Sequence, residues 1–187
     1  MLDAAIESLF TTRGWAPFDF QKRTWDAYLA GGSGLINAPT GVGKTWAAWL
    51  GPVIEAWREQ RGACAAPPPH RRRDRARFEP LRVMWITPLR ALANDTTQAL
   101  LQPVHELGLN WTVEMRSGDT PQSLRVKQRE RLPTALVTTP ESLTLLLSYP
   151  GASERFGTLR AVVADEWHEL MGSKRGVQAE LAFARLR

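Results

Sequence analysis

The chain has 187 residues, 43% hydrophobic and 23% charged, which is enough for one ordinary soluble domain with a real core. No apolar run reaches the roughly 18 residues of a membrane span, and the N-terminal MLDAAIESLF is acidic where a secretory signal is basic, so a membrane partner is excluded and a cytoplasmic location expected. The single cysteine, Cys64, excludes an internal disulfide, no Cys/His cluster suggests zinc, and Cys64 reads as an inert surface residue.

The net charge of +5 sits in one place. Residues 61–82 hold seven of the 24 basic and two of the 19 acidic residues, which leaves 17 of each sign elsewhere. A proline triplet next to an arginine run predicts a flexible Pro/Arg-rich insertion over 61–80. It is either a solvated loop or one in loose electrostatic contact with a nucleic-acid backbone.

Leu2, Ala5, Ile6 and Leu9 fall at helical spacing and predict a helix over 2–10, followed by a second over 20–30. SGLINAP (33–39) reads as a buried strand. Trp46, Trp49, Leu50, Val53 and Trp57 then mark one face of an amphipathic helix over 44–58, so these tryptophans read as core. LRVMWITP (81–88) predicts a strand, and a helix over 89–107 ends at Gly108. NWTVEMRS (110–117), TALVTTP (134–140) and LRAVVADE (159–166) predict three more strands; helices are predicted over 121–131, 141–148 and 177–187. Apolar strands alternating with helices argue for an α/β fold, a mostly parallel sheet with helices on both faces. There is no internal repeat.

APTGVGKT (Ala38 to Thr45) fits the phosphate-binding loop, with alanine replacing the first glycine of the strict pattern. Gly41 and Gly43 let backbone N–H groups converge on phosphate oxygens. Thr40 and Val42 belong to the same loop, and the helix starting at Lys44 adds its partial positive charge. Lys44 is expected to reach the β- and γ-phosphates of a nucleotide and Thr45 to hold Mg²⁺. AVVADEWH (161–168) ends an apolar strand in two carboxylates, expected at the carboxyl edge of the sheet. There Asp165 would hold Mg²⁺ through its waters and Glu166 would polarise the attacking water. His168 is either a surface residue or a link between the nucleotide site and whatever is bound across it.

APTGVGKT and DEWH resemble motifs I and II of superfamily-two helicases of the DExH class. Phe18 and Gln21 resemble the Q motif, where a glutamine amide reads the donor and acceptor edge of adenine and so favours ATP; Trp15 or Phe18 would cover the ring, unless both are core. Thr87, Pro88 and Arg90 (in TPLRAL), Gly118, Asp119 and Thr120 (in SGDT), and Thr139, Pro140 and Glu141 (in TTPES) resemble three segments that touch the nucleic-acid backbone. Hydroxyls and N–H groups at helix starts suit phosphates, although Ser/Thr before Pro or Glu is also an ordinary helix cap. Lys174 and Arg175, in the GSKRG loop, are either further phosphate contacts or part of a solvated turn. WAPFDFQ, TPLRALANDT and DEWHELMGSKRG are similar to the large-helicase-related (Lhr) group, near the bacterial DExH helicases associated with a DNA ligase.

The resemblance implies the first RecA-like motor domain, over 1–187, of an ATP-driven DNA repair helicase that moves 3′ to 5′ on single-stranded DNA. Its expected cofactors are ATP and Mg²⁺. Its expected partners are single-stranded or tailed DNA, a second RecA-like domain, a DNA ligase and a nuclease. No arginine finger is found in the chain, so weak ATP binding and poor hydrolysis are expected of it alone. An RNA-remodelling ATPase and a nucleic-acid-binding module without turnover are the alternatives, and a small-molecule P-loop kinase fits less well.

Overall fold

The computed structural model describes residues 3–64, 79–88 and 90–186, and for residues 63, 64 and 90–92 the backbone alone. Most of the expected insertion (65–78), the Cys64 side chain and the Arg90 side chain lie outside the described residues. The chain forms two compact units, residues 1–77 with 102–109, and residues 78–101 with 110–187.

In the first unit, α1 (Ala4–Thr11) buries Ile6, Leu9 and Phe10. Helices α2 (Asp19–Leu29) and α3 (Lys44–Cys64) pack on one another. Trp25 is buried, and its indole N–H donates to the Trp46 carbonyl at 3.1 Å. The Tyr28 hydroxyl and the Glu55 carboxylate are 2.8 Å apart. Trp49, Leu50 and Val53 are core as expected, whereas Trp46 and Trp57 are half-buried. Helix α3 runs past Arg58 to Cys64, so the first residues of the expected insertion are helical. Arg13 pairs with Glu106 and lies over the Trp46 ring, 5.2 Å from its centroid. Its hydrogen bond holds the Glu106 carboxyl below the ordinary carboxylate range.

The strand expected over SGLINAP is not formed. Residues 33–39 join no ladder, and Leu35 is 84% exposed. Gly31, Gly32 and Gly34 raise the entropy cost of extending this segment, and Pro39 has no N–H to give to a neighbour. Apolar content alone did not carry it.

The second unit is built on an open, all-parallel α/β sheet in the order β2-β3-β1-β4. Its strands are β1 (Val83–Ile86), β2 (Val113–Arg116), β3 (Ala135–Thr138) and β4 (Ala161–Ala164). Helices α4 (Arg90–Glu106), α5 (Gln122–Glu130), and α6 (Pro140–Ser148) with α7 (Ala152–Phe156) follow β1, β2 and β3 in turn. The central strands β1 and β3 are buried at every position, so both sheet faces are covered. On one face Met84, Ile86 and Leu136 meet Leu143 and Leu146 of α6, Phe156 of α7 and Ala182 of α9 (Lys174–Leu186). Strand β4 lies at an edge, where Val162 is 40% exposed.

Helices α7 and α8 (Trp167–Leu170) were not anticipated, being too short to show a period. Helix α9 starts at Lys174 and not at Val177. Ser173 supplies the missing cap, its Oγ accepting from the Gly176 N–H at 3.1 Å. Lys174 and Arg175 are therefore in the first helical turn and not in a loop.

Candidate functional site

The loop before α3 has the backbone a phosphate cradle needs. Gly41 and Gly43 have φ of +81° and +84°, conformations that side chains disfavour. Thr40 and Gly41 are exposed, while Ala38, Val42, Gly43, Lys44 and Thr45 are half-buried, with Lys44 and Thr45 opening the helix. A phosphate there would meet N–H groups at a helix N-terminus.

Gln21 is placed differently from the sequence reading. It is 3% exposed, and its amide is already committed at both ends. The carbonyl accepts from Phe18 N–H at 2.9 Å, and Nε2 donates to the Gly43 carbonyl at 3.0 Å. A Cβ on Gly43 would lie 2.6 Å from that nitrogen. In this arrangement Gln21 braces the phosphate loop and does not present an open edge to a base. The nearby aromatics remain available: Phe18 is 55% and Trp15 56% exposed, stacked on Phe20 and edge-on to Trp46. Gln21→Met is expected to weaken binding of inorganic tripolyphosphate, which has no base, by about tenfold, the size of a buried hydrogen bond left unmade. Calorimetry with tripolyphosphate and with ATP checks this; a loss confined to ATP would restore the base-reading role.

In the second unit the acidic pair follows β4. Asp165 N–H donates to the Ile86 carbonyl at 2.8 Å and so prolongs the ladder by one bond. The carboxylate is held on both oxygens: the Trp85 indole N–H donates to Oδ2 at 3.2 Å and Glu166 N–H to Oδ1 at 3.0 Å. Glu166 has φ 47° and ψ 45°, the one left-handed non-glycine among the described residues. Such a conformation costs on the order of 1–3 kcal/mol and gathers at functional sites. It turns the chain into α8, so Glu166 and Asp165 diverge, as two separate roles require. His168 is 65% exposed, with Nδ1 3.5 Å from Glu166 and Nε2 3.3 Å from Glu169. Trp85 was missed in the sequence because it reads as one more apolar strand residue.

The described residues contain no group of three or more His, Cys, Asp and Glu arranged to hold a metal ion. Magnesium does not require one. It keeps most of its waters and takes one or two protein oxygens beside phosphate oxygens, and in the second unit the Asp165 carboxylate is oriented by a donor on each oxygen.

Of the three backbone-contact segments, the first is largely internal. Thr87 is fully buried and Pro88 is buried, so neither side chain can touch a phosphate as placed. Thr87 Oγ1 has no hydrogen-bond partner among the described residues. Gly118 and Asp119 are exposed, while Thr120 is buried and its Oγ1 accepts from Ser117 N–H at 2.8 Å. Thr139 caps α6, accepting from Ser142 N–H at 3.4 Å, and Pro140 opens that helix. The capping alternative is thus the one that Thr139 adopts. Glu141 pairs with Arg175, so Arg175 is half-buried and engaged, whereas Lys174 is exposed. Burial pushes the Glu141 carboxyl up, but its hydrogen bonds to Arg175 and neighbours bring it below its ordinary value.

The second and third segments border a half-open cavity of about 170 Å³, lined among others by Arg116, Ser117, Arg125, Thr139, Glu141 and Ser142. Arg116 is 2% exposed, and burial pushes its guanidinium below the ordinary arginine range. Arg125 donates to the Ser117 and Gly118 carbonyls and so fixes the SGDT turn. Two guanidinium groups, three hydroxyls and the start of α6 line this cavity beside the Glu141 carboxylate, a mostly donor-rich wall. Neither arginine was foreseen, although both flank SGDT in the sequence.

Comparison with known proteins gives consistent results. The DEAD/DEAH box helicase family model matches residues 18–187. The chain is 36% identical over 193 residues to the Lhr helicase/probable uracil glycosylase of Mycolicibacterium smegmatis, spanning 98% of this chain but 12% of that protein. It is 34% identical over 162 residues to the ATP-dependent helicase Lhr-Core protein 2 of Thermococcus barophilus, covering 81% of this chain and 17% of that one. Among solved structures, Mycobacterium smegmatis helicase Lhr bound to ssDNA and AMP-PNP matches with a TM-score of 0.77 and 35% identity, over 98% of this chain and 22% of that one.

Proposed function

We propose, from the premise that this chain belongs to the DEAD/DEAH box helicase family, that it is the ATP-binding motor domain of a DNA-dependent ATPase acting in DNA repair. The observation that carries this reading is the match along 98% of the chain to an Lhr helicase bound to ssDNA and AMP-PNP. The phosphate-loop backbone and the strained, oriented acidic pair add to it. Movement 3′ to 5′, a ligase and a nuclease as partners, and a cytoplasmic setting are proposed with it, from the likeness of WAPFDFQ and GSKRG to ligase-associated helicases. No helix among the described residues is long and apolar enough to cross a membrane.

In this mechanism Lys44 and the loop N–H groups would neutralise the phosphates of ATP, and Thr45 and Asp165 would hold a hydrated magnesium, which would supply screening of phosphate charge. Glu166 orients and polarises the attacking water. The SGDT and TTPES cavity grips a DNA phosphate without reading sequence. The chain spans 12–17% of the length of these curated relatives. Stepping is therefore proposed for it only when joined to a second motor domain, whose closure and opening on ATP would drive it.

ATP turnover of such a joined protein, compared with no nucleic acid, single-stranded DNA and single-stranded RNA, tests the reading. DNA stimulation is expected; equal or greater stimulation by RNA would move the protein to the RNA-remodelling class. Arg125→Ala should weaken single-stranded DNA binding about tenfold on any sequence, and lower the salt dependence by about one phosphate contact. Fluorescence anisotropy across a salt series reads both.

A further inference from the structure

We propose that Trp85 is a positioning residue for Asp165, aiming the carboxylate at hydrated magnesium. The inference rests on the reading above, in which Asp165 serves Mg–ATP. Strands β1 and β4 are parallel, with Trp85 opposite Val163 and Ile86 opposite Ala164. Side chains two apart share a face. Asp165 therefore leaves the sheet on the same side as Val163 and Trp85, and the indole reaches one step forward to meet it at 3.2 Å. Glu166 N–H holds the other carboxylate oxygen at 3.0 Å. One donor on each oxygen fixes the plane of the group before a ligand arrives.

Trp85 is 2% exposed, so its N–H cannot turn to bulk water, and a hydrogen bond to an anion is of the stronger, charge-assisted kind. A leucine or phenylalanine also suits a strand interior, but neither carries a donor. What tryptophan adds at this position is the donor. The competing view is that the indole is merely core and takes the nearest acceptor.

Trp85→Phe separates the two, because it removes the N–H and keeps an aromatic six-membered ring, and the affinity in EDTA controls for the smaller volume. In the ¹⁵N-labelled 187-residue chain, the indole resonance missing from Trp85→Phe identifies Trp85. That resonance is expected to shift in Asp165→Asn without any ligand, and in the unaltered chain on adding Mg²⁺ with a non-hydrolysable ATP analogue. The magnesium-dependent gain in analogue affinity should fall about fivefold in Trp85→Phe, with affinity in EDTA unchanged. An indole resonance indifferent to Asp165→Asn, or a full magnesium gain in Trp85→Phe, overturns the proposal. If the unaltered chain shows no magnesium gain, the role of Asp165 falls and that of Trp85 with it, whatever the indole resonance does. Should Trp85→Phe fail to fold, the Asp165→Asn spectrum, taken with native Trp85, still decides whether the contact exists.

Discussion

Glu166→Gln, in the chain joined to a second motor domain, is expected to lower ATP turnover by about 100-fold or more and to leave nucleotide affinity within about twofold. Glutamine matches glutamate in size and can sit at the same backbone position, so the fold has no reason to change. What disappears is the negative charge that polarises the attacking water. The residue is well placed for that single role: its side chain is 27% exposed, close enough to solvent to hold a water, and its backbone is forced left-handed at the turn into α8. A merely solvated strand end would have no cause to pay that strain. Lys44→Ala should behave differently, weakening binding itself, because Lys44 acts on phosphates already in the ground state. Turnover and analogue binding measured on both variants separate these effects. If Glu166→Gln loses affinity and turnover together, the carboxylate supports the turn and does not serve the water.

The sequence was legible where one feature repeated or where a residue type had few uses. Central strands with four apolar residues, such as VMWI and ALVT, could pair only inside a covered sheet. Gly41 and Gly43 announced a turn that other residues resist. It failed where the deciding partner is distant in the chain. Nothing local to Gln21 reveals that its amide closes on Gly43, or that Arg175 will engage Glu141 before any phosphate does. SGLINAP failed for another reason: a strand needs a neighbour, and apolar residues between glycines state a preference without supplying one. The same limit hid Arg116 and Arg125, whose meaning comes from the cavity that they share with TTPES.

Gly176→Ala should be the most destabilising small substitution in the second unit, by about 2–4 kcal/mol. Ordinarily alanine improves a helix, and at an exposed helical glycine it would add about 1 kcal/mol of stability. Gly176 sits in the first turn of α9 and is buried, and a Cβ there would fall onto the Leu170 carbonyl oxygen, with the carbonyl carbon 2.9 Å away. Neither atom can swing aside. The same oxygen accepts from Ser173 N–H at 3.2 Å and Ser173 Oγ at 2.7 Å, and Ser173 Oγ in turn accepts from Gly176 N–H at 3.1 Å. Backing away would break the cap that starts α9 and loosen its packing on α6, which buries Ala179 and Ala182. Gly172→Ala is the internal comparison: φ is +71° there, but a Cβ meets nothing within 4 Å, so only backbone strain of about 1 kcal/mol applies. Urea melts of the two variants should therefore rank Gly176→Ala well below Gly172→Ala. Because Arg175 rides on the same turn, the weaker variant should also lose the Arg175–Glu141 pair at the rim of the cavity between SGDT and TTPES. Equal melts would mean that the turn yields freely and that the glycine is there for its φ-space alone.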